Sequence, residues 1–277
     1  MTVALALVAA VLYGLSDFIG GVASRRTSVW PIGFLACVGG TAGAVVIALF
    51  DPGDPTRPDV LWGLLAGLGS GTGTAFLYRG LASGRMGVVA PVSGLGAVLI
   101  PLAVGVLGGE RPGWIGWIGI VLALPGIWFV SREETAAADE GARSGLLDGV
   151  LAGVGFGLLF AALGQVGDDA GYWPLAGAQA MSIASLVVAA LLLGGNPVPR
   201  ARADLWGLLP GLLATCAVLF FILATNEGLL SIAAVITSLY PAFTVLLAIA
   251  VLRERVHRTQ AFGLLLCTAS VVFVSLP

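Results

Sequence analysis

The sequence predicts an all-α integral membrane protein with ten transmembrane helices, arranged as two inverted-topology five-helix repeats. Three observations lead there: a composition too apolar for a soluble surface, ten long apolar runs, and two halves that share residues at nearly one offset. Of 277 residues, 58% are hydrophobic and only 10% charged, with a mean hydropathy of +1.02. A soluble domain carries about 25% charged residues, so the solvent of this chain is a bilayer. One span needs roughly 20 apolar residues to cross a ~30 Å core at ~1.5 Å per residue. Ten spans take about 200 residues by that rule, leaving short loops and no soluble domain of any size.

The spans fall at residues 2–22, 30–50, 60–80, 86–108, 113–131, 146–166, 173–194, 205–226, 231–252 and 258–276. Val22-Ala23-Ser24 is like a signal-peptide cleavage site. However, the start has no basic region and its apolar run is as long as a full span, so it is read as the first helix. Proline, glycine and charge punctuate the later runs. The longest polar segment, 131–144, splits the chain almost in half. It gives a first repeat over 1–131, a cytoplasmic linker over 132–145 and a second repeat over 146–277.

The halves match in detail. Leu61-Trp62-Gly63-Leu64-Leu65-Ala66-Gly67-Leu68 meets Leu205-Trp206-Gly207-Leu208-Leu209-Pro210-Gly211-Leu212 at an offset of 144. At the same offset Glu110-Arg111 meets Glu254-Arg255, and Gly119 meets Gly263. Trp30-Pro31 meets Trp173-Pro174 at 143. A series of this kind argues for duplication of a five-helix unit. Five is odd, so the second copy enters the membrane from the opposite side. The arginines agree with that. Arg25, Arg26, Arg79, Arg85, Arg132, Arg143, Arg200, Arg202, Arg253, Arg255 and Arg258 fall on one side, and only Arg57 and Arg111 on the other. Basic residues in short loops mark the cytoplasmic face, so both termini are expected outside. Inverted repeats of this sort are frequent in secondary transporters.

Composition excludes several classes. A net charge of −2 offers nothing to a nucleic acid. Cys37, Cys216 and Cys267 lie inside apolar runs without metal or disulfide spacing. With His257 the only histidine, a His-based metal site or triad cannot be built within one chain. All thirteen basic residues are arginine, and glycine is abundant at 41, which points to a GC-rich bacterial gene and the bacterial inner membrane. No cofactor or metal is expected. The sequence does not speak to oligomeric state.

Ser238-Leu239-Tyr240-Pro241-Ala242-Phe243-Thr244-Val245-Leu246-Leu247, running on to Glu254-Arg255, resembles the proline-containing helix with a terminal Glu-Arg pair of the EamA-like family, in the drug/metabolite transporter superfamily. Gly263 with Ser270 is similar to that family's tenth helix, and Gly119 with Gly126 to its fifth. Tyr13-Gly14 stands where the family often has Trp-Gly. The likeness covers the chain as two consecutive copies. The first copy departs from it at Ala97, the position equivalent to Pro241. The resemblance implies a ten-helix carrier of small metabolites, often exporting them, and names no substrate.

Polar residues inside spans cost free energy, so each is a functional candidate. Asp17 is the sharpest, with Tyr13 and Ser16 beside it and Arg79, next to Tyr78, as the expected ion partner. Asp17 is also the proton-coupling candidate. On the fourth span, Pro91-Val92-Ser93-Gly94 and, on the ninth, Thr237-Ser238-Leu239-Tyr240-Pro241 offer hydroxyls and freed carbonyls near the midplane. Gln179, Ser182 and Ser185 share one face of the seventh helix. The candidate substrate site is therefore Tyr13, Ser16, Asp17, Tyr78, Arg79, Ser93, Gln179, Thr237, Ser238 and Tyr240. Gly67 to Gly71 and Gly69 to Gly73 read as small-xxx-small packing rather than a phosphate loop. Glu110 and Glu254 read as caps at helix ends.

The expected function is secondary transport of a small organic solute across the bilayer, with the two repeats rocking about a midplane site. Three alternatives are a non-transporting accessory subunit, a lipid-modifying enzyme and a channel. The enzyme lacks clustered acid–base groups, and the channel lacks a ring of equivalent pore groups. The arginine bias makes a direct prediction. A single cysteine placed at residue 26 or 255 should react with a membrane-impermeant thiol reagent only from the cytoplasmic side, and labelling from outside reverses the orientation.

Overall fold

The computed structural model describes residues 1–24, 27–82, 86–131, 142–252 and 257–276. Its helices are α1 (Thr2–Ser24), α2 (Val29–Phe50), α3 (Arg57–Ala82), α4 (Met86–Leu107), α5 (Trp114–Ser131) and α6 (Ala142–Leu163). They continue as α7 (Trp173–Leu192), α8 (Leu208–Asn226), α9 (Leu230–Thr237), α10 (Tyr240–Leu252) and α11 (Arg258–Ser275). Nine stretches of the described chain are long and apolar enough to span a bilayer, and Val92–Leu107 is a shorter apolar part of α4. The family-scale prediction of an all-helical, multi-span protein holds. Arg25, Arg26, Arg85, Arg132, Arg253, Glu254 and Arg255 lie outside the described residues.

Two details differ from expectation. Helix α6 starts at Ala142, inside the segment read as linker. The ninth span is also two helices rather than one. Pro241 has no N–H to return to the Thr237 carbonyl. The backbone tightens instead, with Leu239 N donating to Ile236 O at 3.1 Å. Helix α4 has Ala97 at the equivalent position and runs unbroken. Pro101 and Pro125 are absorbed inside α4 and α5 without a break.

Sequence halves are not packing units. Helix α6 packs on α3 and α4, α7 on α3 and α2, and α11 on α5. Helix α1 packs on α8, α9 and α10, and α2 on α8. Exchanging the halves maps α3–α6 onto α8–α1, α4–α6 onto α9/α10–α1, and α3–α7 onto α8–α2. Two mixed bodies result: α1, α2, α8, α9 and α10 in one, and α3, α4, α6 and α7 in the other. Helices of each repeat are therefore packed against helices of the other.

Bilayers supply no hydrophobic drive between helices, so close backbone approach must hold them together. Gly63, Gly67 and Gly71 lie one turn apart on α3. A Cβ on them would collide with Pro174 O, Ala178 O, and Ser182 O with Ser185 Oγ, all on α7. Gly69 and Gly73 face α6, where a Cβ on them would lie 3.0 Å from Leu159 N and 3.1 Å from Phe156 N, respectively. The equivalent positions before and on α8 meet α2: a Cβ on Gly207 would lie 2.7 Å from Ile32 O, and one on Gly211 would collide with Ala36 O. Thr215 takes the third place, donating from Oγ1 to Gly40 O at 3.0 Å.

Two buried aspartates tie loops to these bodies. Asp59 accepts from Thr56 N and, across the fold, from Gly167 N, each at 2.9 Å. Asp204 accepts from Arg200 N and Ala201 N, each at 2.8 Å.

The glycine contacts set a stability test. Gly67→Val and Gly211→Val should each destabilise the protein by about 1–3 kcal/mol or more, the usual cost of overpacking. Gly177→Ala meets only Leu64 Cδ2 at 3.9 Å and should leave the melting temperature in detergent unchanged. Equal melting temperatures for all three variants would show that these approaches are not what holds the bundle.

Candidate functional site

Helix α1 carries the centre of the site. Its start is sealed: Ala6, Ala9 and Ala10 are fully buried. At mid-helix the Tyr13 ring stands edge-on to Phe160, centroids 5.9 Å apart, and tilts against Tyr240, also at 5.9 Å. Phe160 continues the aromatic stack to Phe221 at 4.8 Å. The Tyr13 hydroxyl is buried without a hydrogen-bond partner. Gly14 lets α1 meet α10 closely, since a Cβ there would lie 2.9 Å from Tyr240 O. Thr244 Oγ1 fastens this contact, donating to Gly14 O at 3.3 Å or Tyr240 O at 3.2 Å.

Asp17 is one turn past Tyr13 on the same side of α1. It is exposed, and it lies within electrostatic reach of both Tyr13 and Tyr240. It makes no hydrogen bond or ion pair among the described residues. One turn further, Gly21 has nothing within 4 Å of a Cβ. Helix α4 packs against α9 and not closely against α10. Among the described residues the two groups meet through α4 on α9 and α2 on α7.

The break between α9 and α10 borders this region through Tyr240. Thr237 and Ser238 are fully buried there, with hydroxyls that have no partner. Ser93 is 1% exposed on α4. Of the predicted site residues, Tyr13, Asp17 and Tyr240 come together, with Thr237 and Ser238 at the adjoining turn.

Other candidates are committed elsewhere. Ser16 Oγ donates to Pro210 O at 2.8 Å and joins α1 to α8. Gln179 Nε2 donates to Thr215 Oγ1 at 2.7 Å, so it ties α7 to α8. Ser185 Oγ donates to Gly67 O at 3.2 Å. Tyr78 lies on α3, and its side chain is outside the described residues. The expected Asp17–Arg79 pair is replaced. Arg79 Nε donates to Asp148 Oδ1 at 2.8 Å, with Nη2 on the same oxygen, because α3 packs on α6 rather than on α1. The guanidinium also sits over the Phe76 ring, 4.9 Å from its centroid. Asp148 was legible as an acid just inside an apolar run, yet sequence alone did not say which arginine it would meet. Phe160 and Phe221 were indistinguishable from ordinary core.

A groove of about 360 Å³ between α3 and α7, lined by Leu68, Phe76, Met181 and Val188 among others, is apolar and includes none of the predicted site residues. Among the described residues, no three His, Cys, Asp or Glu side chains converge.

Nine spanning stretches and a shorter apolar helix among the described residues, with halves packed into each other, make a multi-pass membrane fold. A family model described as the EamA-like transporter family matches residues 1–132 and again 143–276. The chain belongs to the EamA-like transporter family, within the drug/metabolite transporters, whose members are transporters and not enzymes. A solved structure titled "Crystal structure of protein" shares the fold with a TM-score of 0.76 at 15% identity, covering 99% of this chain and 96% of that one. A search of curated proteins found no match.

The Arg79–Asp148 pair makes a prediction about stability. Asp148→Asn should lower the melting temperature, because it strands a guanidinium among helices. Joint replacement, Arg79→Met with Asp148→Leu, should recover most of that loss. An additive loss in the double variant would contradict the pairing.

Proposed function

We propose that this transporter is a secondary carrier that exports an amphiphilic solute bearing a positive charge, by alternating access. One observation carries the reading: Asp17, a carboxylate with no hydrogen bond or ion pair among the described residues, lies one turn past an aromatic layer in the middle of α1. A carboxylate in that position attracts a cation. Tyr13 and Tyr240 add aromatic faces, and a cation over such a face gains roughly 0.5–2 kcal/mol. The solute would lie between the mixed bodies, at the repeat interface typical of carriers. Thr237 and Ser238 would complete its hydrogen bonds from the broken span.

The inverted relation of the repeats is part of this proposal, supported by their odd span number and by the arginine distribution. So are the bacterial inner membrane and the external termini. On that orientation the end of α1 past Asp17 faces the cytoplasm, the side from which an exporter loads. Proton coupling through Asp17 also belongs here: the carboxylate would release its cation on taking a proton and reload after losing it.

Thermal unfolding of the purified carrier against amino acids, nucleosides, sugars and organic cations, at pH 6 and 8, tests the reading. A binder present at a hundredfold excess over its Kd adds about 2.7 kcal/mol to the folded state. Cationic compounds should raise the melting temperature, and Asp17→Asn should abolish the shift. Vesicle flux of the hit should fall at least tenfold in that variant. Undiminished binding and flux in Asp17→Asn would remove Asp17 from the mechanism. Binding without flux would favour an accessory subunit.

A further inference from the structure

We infer that Glu110 is the latch that holds the sealed end of the carrier shut. Helix α9 begins without a side chain of its own to cap it, for Leu229 at the N-cap makes no such bond. Its first-turn N–H groups would otherwise be unmet, and buried donors are costly to leave so. The acceptor comes from 120 residues away. Glu110 Oε1 accepts from Leu230 N at 2.6 Å, and Oε2 accepts from Ser231 N at 2.9 Å. Both atoms of the carboxylate are thus used, at the positive end of a helix, where charge-assisted bonds are strongest.

The carboxylate is aimed by the end of α4. Gly108 N, Gly109 N and Glu110 N donate to Val104 O, Val106 O and Gly105 O. Gly109 takes a φ of +104°, which glycine tolerates and a side chain would strain. Gly105 leaves the space the carboxylate fills, since a Cβ there would collide with Glu110 Oε2. Arg111 follows directly but does not neutralise Glu110. Its Nη1 donates to Val106 O at 3.1 Å and Glu110 O at 2.8 Å.

What makes this a latch rather than a cap is where its ends lie. Glu110 follows α4 in one mixed body, and Leu230 starts α9 in the other. Sequence reading placed Glu110 as a local cap at an exposed helix end. The structure shows it bridging the two bodies. Separating them there must break both bonds, and both partners then need water. A closed face held in this way opens as a two-state step. The inference rests on the alternating-access reading.

Spin-label distances test it. Labels at Gly113→Cys and Glu227→Cys, with Cys216→Ser, flank the latch from exposed loop positions. The parent should show one short distance. Glu110→Gln, which loses the charge, and Glu110→Asp, which is one methylene too short, should each raise the separated population about tenfold. Distances like the parent's in both variants would reduce Glu110 to a static cap and overturn the inference. Failure of both variants to yield folded protein would do the same. No solute is needed for this readout, so it fails independently of the flux and ligand measurements.

Discussion

Close contact between backbones of opposite halves is the constraint on which the fold depends. Apolar side chains gain nothing from leaving lipid for each other, so helix association rests on fit and on polar bonds. The glycine line Gly63, Gly67 and Gly71 brings α3 down onto α7, and Gly207 with Gly211 brings α8 down onto α2. Hydroxyls and amides then close the gaps, as Ser16 does to Pro210 and Gln179 does to Thr215. These contacts bind α3 to α6 and α7, and α1 to α8, across the boundary between repeats.

The same requirement explains which predicted site residues remain free. Ser16, Gln179 and Ser185 face neighbouring helices at short range and are consumed there. Arg79 is consumed by Asp148. What is left is Asp17 with two tyrosines, and at the adjoining helix break the unpartnered Thr237 and Ser238. Specificity in such a centre comes from few groups, because most polar side chains in the spans already serve the packing.

The apolar spans and the duplication were legible in the sequence because each is a local property, apolar length or offset. The small-xxx-small reading of Gly67 and Gly71 was legible for the same reason. The break after Thr237 was only half legible, since Pro241 splits its span while Pro101 and Pro125 do not split theirs. Pairings were not legible. The sequence paired Arg79 with Asp17, and only the packing of α3 on α6 brings it to Asp148 instead. Glu110 gave no hint of its reach, because its partners are backbone N–H groups of α9, which every sequence possesses.

The interleaving also sets a timetable for biosynthesis. Ser16 meets Pro210 across 194 residues, and Gly14 meets Thr244 across 230. At ~5–20 residues per second, the first helix waits roughly 10–40 s for the partner of Ser16 to be made. During that time Asp17 is in the bilayer without the helices that later surround it. The early helices therefore depend on lipid, or on the insertion machinery, to shelter their small-residue faces until the second half arrives.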